Sequence, residues 1–247
     1  MRNSNPVFNN NIFTRPQGLP GNQTMTVSGT ITKSFYSLFL VVLSALSTWL
    51  YLTLSHNFQT VAIFSIMGTV VSFIVGFVVI FKPQTGHITV PLYSVFQGFA
   101  LGAVTTLLSQ VYSGIAFQAV SLTMGVALAM LVSYKFGLIQ ATEKFRSILT
   151  IATGGIFIVY MASMLLGMFG IHLPFLRSGM FGIIFSLVVI GVAALNLILD
   201  FDNIERGVNS GSPAYMEWIG AFGLMVTLIW LYWEIIRLIS ILRGDDD

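Results

Sequence analysis

Seven stretches, each about long enough to cross a lipid bilayer, dominate this chain and exclude most other folds. They run over residues 34–54, 60–81, 90–111, 115–136, 147–169, 178–199 and 217–242. Each approaches or exceeds the ~20 apolar residues that a helix needs to span the hydrocarbon core. None alternates strictly between apolar and polar residues, and each is about twice as long as a barrel strand, so strands are a poor alternative. The whole chain is 55% hydrophobic and only 8% charged, with a mean hydropathy of +0.87. A soluble domain of 247 residues with that composition would have a largely apolar surface. The fold class expected is all-α: a polytopic membrane protein built as a seven-transmembrane-helix bundle.

Three regions follow. Residues 1–33 are polar, rich in Asn, Gly and Thr, and interrupted by Pro6, Pro16 and Pro20, so they read as a disordered tail. Residues 34–242 form the membrane domain, and 243–247 an acidic tail, "RGDDD". The first apolar stretch begins after Lys33 and is long enough to span, so it reads as a retained helix and not a cleaved signal. Short connections such as "SHNFQ" and "YSGI" predict antiparallel neighbours. Gly68, Gly76, Gly98, Gly102, Gly125, Gly154 and Gly155 fall inside helices, where small residues let backbones approach. With the N-terminus inside, Arg2, Arg15, Lys33, Lys82, Lys135, Lys144, Arg146 and Arg206 lie on the cytoplasmic side, against Arg177, Arg237 and Arg243 outside. That asymmetry predicts N-in, C-out.

Enzymatic constellations are missing. The chain has no cysteine, which removes thiolate metal sites and Cys nucleophiles. His56, His87 and His172 read as loop residues on alternating sides, unable to share a metal. There is no H-E-x-x-H, Walker loop or G-x-S-x-G elbow. The basic residues are scattered, which argues against nucleic acid. The expectation is a non-enzyme without cofactor.

What remains is a small set of acids. Outside the tail there are six: Glu143, Asp200, Asp202, Glu205, Glu217 and Glu234. Acids inside spanning segments are costly, and they usually face a bundle interior, water or a partner. In "NLILDFDNIERG" (196–207), Asn196, Asp200 and Asn203 share a helix face if the sixth helix continues so far. Asp202 and Arg206 are spaced for an i,i+4 ion pair, and with Glu205 they read as a solvated helix end. Three acids near a helix C-terminus oppose its dipole. On the seventh helix, "SPAYMEWIG" suggests Ser212 as cap and Pro213 at the first position. Glu217 then enters at about the depth of Asp200. Glu234 lies ~26 Å further along the helix, seven residues from Thr227 and within reach of Arg237.

"LNLILDFDNIERG" and the final span "LMVTLIWLYWEIIRLISILRGDDD" resemble the Bax-inhibitor/YccA family of seven-helix membrane proteins. "VPLYSVFQGFALGAV", "YSGIAFQAVSLTMGVALAML" and the N-terminal "SNPVF" and "MTVSGTITK" add to the resemblance, the last two pointing to a bacterial branch. It implies a seven-helix bundle with the last helix near the centre, in a bacterial inner membrane. It also implies a pH-dependent calcium leak through two aspartates, one from each of the last two helices, or association with a membrane protease of the FtsH type. Eukaryotic relatives protect against cell death, which adds a stress-response role. The first aspartate carries over onto Asp200. Thr227 stands where the second would be, and Lys82 where the family has a basic residue ending its second helix. Either Glu217 or Glu234 takes the partner role, or this branch does not share the mechanism.

The expected function is thus an ion-permeation or pH-sensing protein gated by Asp200. Burial in an apolar site favours the neutral form of a carboxyl. A transient calcium ion at Asp200 would draw further oxygens from Asn196, Asn203, a Glu and water. The alternative is a modulator that binds a membrane protease through its polar N-terminal segment.

Overall fold

The computed structural model describes residues 24–55, 57–170 and 179–244. Seven helices make up most of them: α1 (Val27–Ser55), α2 (Phe58–Phe81), α3 (Gly86–Val111), α4 (Ile115–Lys135), α5 (Glu143–Met168), α6 (Gly179–Asn209) and α7 (Met216–Gly244). All seven are long and apolar enough to cross a membrane. The starts of α1, α3, α5 and α7 gather with the ends of α2, α4 and α6 on what we term the N-terminal face.

Several boundaries differ from expectation, three of them for a clear local reason. The first helix begins at Val27, inside the stretch assigned to the polar tail, because Thr26 caps it. The Thr26 hydroxyl accepts the Gly29 N–H at 2.9 Å, and its carbonyl accepts the first helical bond, from Thr30, at 3.1 Å. The rest of the expected tails, residues 1–23 and 245–247, lies outside the described residues. The sixth helix does not stop near residue 199 but continues to Asn209. It ends in a Schellman motif: Ser212 N–H bonds the Gly207 carbonyl and Gly211 N–H the Val208 carbonyl, both at 3.0 Å. Gly211 takes the left-handed position at φ 68°. The seventh helix starts at Met216, not Pro213. Ser212 is not its cap, because its carbonyl accepts the Met25 N–H at 2.7 Å instead. A fourth, smaller difference is that His87 sits in the first turn of α3. His56 and His172 fall outside the described residues.

Packing only partly follows chain order. α3 lies along both α1 and α2, while α1 and α2 themselves barely touch. α7 packs against α1, α3, α4 and α6, and α5 rests mainly on α6. Buried positions on α7 include Ala221, Met225, Ile229, Leu231, Ile235 and Ile236, while Val226 is exposed. A helix packed against four others lies near the centre of the bundle, as the resemblance implied.

The α1–α3 seam is closed by glycines. A Cβ on Gly98 would lie 2.4 Å from the Val41 carbonyl oxygen, and one on Gly102 2.6 Å from Ala45 Cα. Gly68 meets the α3 backbone in the same way, 2.6 Å from the Phe96 carbonyl oxygen. Lipid provides no hydrophobic drive between helices, so this close backbone approach supplies the packing energy. Gly125, Gly154 and Gly155, which were expected to play the same part, face open space.

Candidate functional site

Asp200 lies in the interior of α6, nine residues before its end at Asn209, or about 14 Å along the axis. The dipole argument made for it at a helix terminus therefore does not apply, since that effect fades within the last turn. On antiparallel α7 the residue opposite is Thr227, whose hydroxyl donates to the Asp200 carboxylate at 2.6 Å. One turn earlier on α7, Gly223 also faces the carboxylate: a Cβ there would make an ordinary contact, 3.6 Å from Asp200 Oδ1. Gly223 and Thr227 thus share one face of α7, and the carboxylate lies against it. Buried apolar side chains flank the pair along both helices, Leu197 and Leu199 on α6 and Leu224 and Leu231 on α7. Among the described residues no ion pair involves Asp200.

Neither glutamate answers Asp200. Because α6 continues ten residues past the expected end, Glu217 is level with the last turn of α6 and sits about 15 Å along α7 from Thr227. Its carboxylate is taken up by α1. Oε1 accepts the Thr26 N–H and the Thr26 hydroxyl, each at 2.8 Å, and Oε2 pairs with Lys33 Nζ at 2.5 Å. This is a capping box formed between helices. In the usual box the residue three after the cap returns a carboxylate to the cap N–H. Here that residue is Gly29, and Glu217 of α7 occupies the space its side chain would fill, with Oε1 only 2.2 Å from a built Cβ. Lys33 also lies 5.3 Å from the Trp218 ring centroid.

Glu234 is tied on the other side of Thr227. Its Oε1 accepts the Tyr160 hydroxyl of α5 at 2.5 Å, and Oε2 pairs with Arg237 at 3.4 Å. The local Glu234–Arg237 pair was legible in the sequence; Tyr160 was not.

The remaining charges of "DNIERG" fasten α6 to its neighbours. Asp202 pairs with Arg206, Nε to Oδ2 2.7 Å, and also with Arg146 of α5. Arg146 donates to the Asn203 side-chain oxygen at 2.7 Å, Tyr134 of α4 donates to Glu205, and Arg206 reaches Glu143 at 3.5 Å. Asp202 and Glu205 are therefore ties to α5 and α4 and not simply a solvated end. Asn196 donates to Thr153 of α5 and to the Val192 carbonyl, both at 2.9 Å. Of the two oxygens expected to gather round Asp200, that of Asn203 is thus engaged by Arg146 of α5, and the Asn196 amide nitrogen is turned to Thr153 of α5. Lys82 closes α2 with its backbone N–H on the Val78 carbonyl, and its side chain is exposed. Among the described residues, no group of three or more His, Asp or Glu could hold a metal ion.

The partners that sequence reasoning missed are Thr26, Gly29, Lys33, Tyr160, Tyr134 and Arg146. The one available signal was the Thr26 cap with glycine at the position where a capping box needs an acid. Compared with known proteins, residues 5–244 match a family model described as Bax inhibitor 1 like. No curated protein and no solved structure matches the chain.

Proposed function

The chain belongs to the Bax inhibitor 1 like family of membrane proteins, and from that premise we propose that it is a pH-responsive cation leak. The gate is the α6–α7 seam, and Asp200 is the group whose protonation sets it. One observation carries this reading: the part-buried Asp200–Thr227 hydrogen bond joins two apolar helices, about 14 Å from the end of α6. Where the resemblance implies a second aspartate, this chain has a hydroxyl.

The chemistry of a single carboxyl differs from that of a pair. A neutral Asp200 needs few partners and is compatible with a closed, apolar seam. An ionised Asp200 has one hydroxyl donor and is undersolvated, which favours entry of water or a cation. The charged groups around the seam are already paired: Asp202 with Arg146 and Arg206, Glu217 with Lys33, and Glu234 with Arg237. None of these pairs contacts the Asp200 carboxylate. Calcium takes six to eight oxygens, more than Asp200 and Thr227 offer, so the site passes an ion and does not store it.

The test is flux in reconstituted vesicles. Wild type is expected to pass calcium faster as pH rises from about 6 to 8, as the ionised carboxylate gains population. Asp200→Asn is expected to stay at the low-pH level throughout. Equal fluxes with the same pH dependence in both would refute the gate. Thr227→Asp sets two carboxyls face to face, which titrate as a coupled pair. Its flux profile is expected to broaden over pH; a profile unchanged from wild type would place position 227 outside the gate.

A second reading draws on the N-terminal segment. Thr24 bridges to Pro213 and Met25 bonds Ser212, so the described part of the N-terminal segment lies against the α6–α7 loop. Under the positive-inside rule that face is cytoplasmic, and it could present the segment to a membrane protease in a bacterial inner membrane. Deleting residues 1–23 would then abolish copurification with the protease while Asp200→Asn would not; the opposite pattern favours the leak.

A further inference from the structure

A cleft of about 410 Å³ opens on the side of the bundle away from the N-terminal face. It is bounded by Leu108 of α3, Tyr160 and Ser163 of α5, and Trp233, Glu234, Ile236, Arg237 and Ser240 of α7, so apolar side chains share the lining with the polar ones. We propose that this cleft is a cation-entry vestibule in which Glu234 receives the ion, forming the half of the path opposite Asp200. The proposal rests on the leak reading.

Depth comes first. Leu108 lies three residues from the end of α3 and Ser240 four from the end of α7. The mouth is therefore about 6 Å from the helix ends, at the aqueous boundary, and Glu234 about 15 Å below them. Polarity agrees with depth. An ion pair, a phenol and two serine hydroxyls facing acyl chains would be costly, whereas lining water they are not. Glu234 itself is only 5% exposed, so an ion reaching it sheds part of its hydration.

The electrostatics suit passage. Arg237 is anchored beside the carboxylate by the rings of Tyr160 and Phe185, 5.5 and 5.6 Å away, and it donates to the Tyr160 hydroxyl at 2.5 Å. Its 3.4 Å contact with Glu234 is long, so a cation can compete for Oε2 while the guanidinium stays in place. The neighbouring positive charge keeps binding weak enough for release, as conduction requires.

Alignment links the two halves. Thr227 and Glu234 are seven residues apart on one face of α7, about 10 Å. Between them lies fully buried Leu231, clustered with Ala193 and Leu197 of α6. Two polar stations separated by an apolar layer are what a gate at the α6–α7 seam has to open.

The chain has no cysteine, so single cysteines report directly on water access. Ser163→Cys and Ser240→Cys are expected to react with a membrane-impermeant methanethiosulfonate added on the side opposite the N-terminal face. Leu165→Cys, exposed on the outer surface of α5, is expected to remain unlabelled in the bilayer. Millimolar calcium chloride is expected to slow labelling of Ser240→Cys several-fold. That protection is expected to survive Glu234→Asp and vanish in Glu234→Gln, with unprotected labelling of Ser163→Cys reporting that each variant is folded. Unreactive cysteines, or labelling indifferent to calcium, overturn the vestibule. Protection without wild-type flux upholds the cation site and rejects the leak, whereas flux without protection upholds the leak and rejects the vestibule.

Discussion

Gly98→Val is expected to force α1 and α3 apart and to cost about 3 kcal/mol or more, the upper end of overpacking penalties. A Cβ on Gly98 would stand 2.4 Å from the Val41 carbonyl oxygen and 2.7 Å from Ser44 Cβ. The nearer obstacle is helix backbone, which cannot turn aside as a flexible side chain can. Separation of the two helices also loosens α3 from its place against α7, since Val41 and Leu101 share a buried cluster with Met225 and Ile229. Thermal unfolding in detergent should show the loss as a lowered midpoint. Gly154→Ala on α5 is the control: nothing lies within 4 Å of that position, so the change is expected to stay within ~0.5 kcal/mol. Equal effects at the two sites would disprove the packing argument.

The second large effect is expected from Gly29→Ala. The new methyl would meet the Glu217 carboxylate at 2.2–2.4 Å and expel it, leaving Lys33 without its partner and the Thr26 N–H without an acceptor. Breaking a fully buried pair costs about 3–5 kcal/mol. Lys33 and Glu217 retain 24% and 9% side-chain exposure, so a loss of about 2 kcal/mol is the better expectation for a partly exposed, charge-assisted pair. Trypsin cleavage after Lys33 should accelerate, because the start of α1 is no longer held to α7. Lys33→Met combined with Glu217→Leu removes both charges and is expected to recover most of the loss of either change alone, as a double-mutant cycle would show. If the double variant loses as much as the sum of the singles, the two side chains do not act on each other.

The two glycine predictions also show where the sequence stops being informative. Gly98 and Gly154 sit in equally apolar stretches, and nothing local distinguishes them. One faces the α1 backbone and the other faces outward, a difference created by which helices adjoin. Gly29 hides in the same way. Its role is to lack a side chain that would displace a carboxylate arriving from residue 217, across most of the chain length. For Asp200, the position was legible from its place after "ALNLIL", and the alignment already put Thr227 on the facing helix. The error lay in register. Ending the sixth helix near residue 199 set Glu217 level with Asp200, whereas ten further helical residues carry Glu217 about 15 Å away along the axis.

Hydrophobicity along the chain determined by itself that there are seven membrane-spanning helices, because the bilayer imposes a length on every apolar run independently of its neighbours. The same local reasoning found the unusual acids, since each is costly wherever it packs. Tertiary structure alone decided what each acid meets: Thr227 for Asp200, Thr26 and Lys33 for Glu217, Tyr160 and Arg237 for Glu234. Those pairings depend on helix length, rotation and adjacency together. A shift of one residue turns a helical side chain by about 100°, so small boundary differences that hydropathy cannot detect reassign the partner of every buried charge.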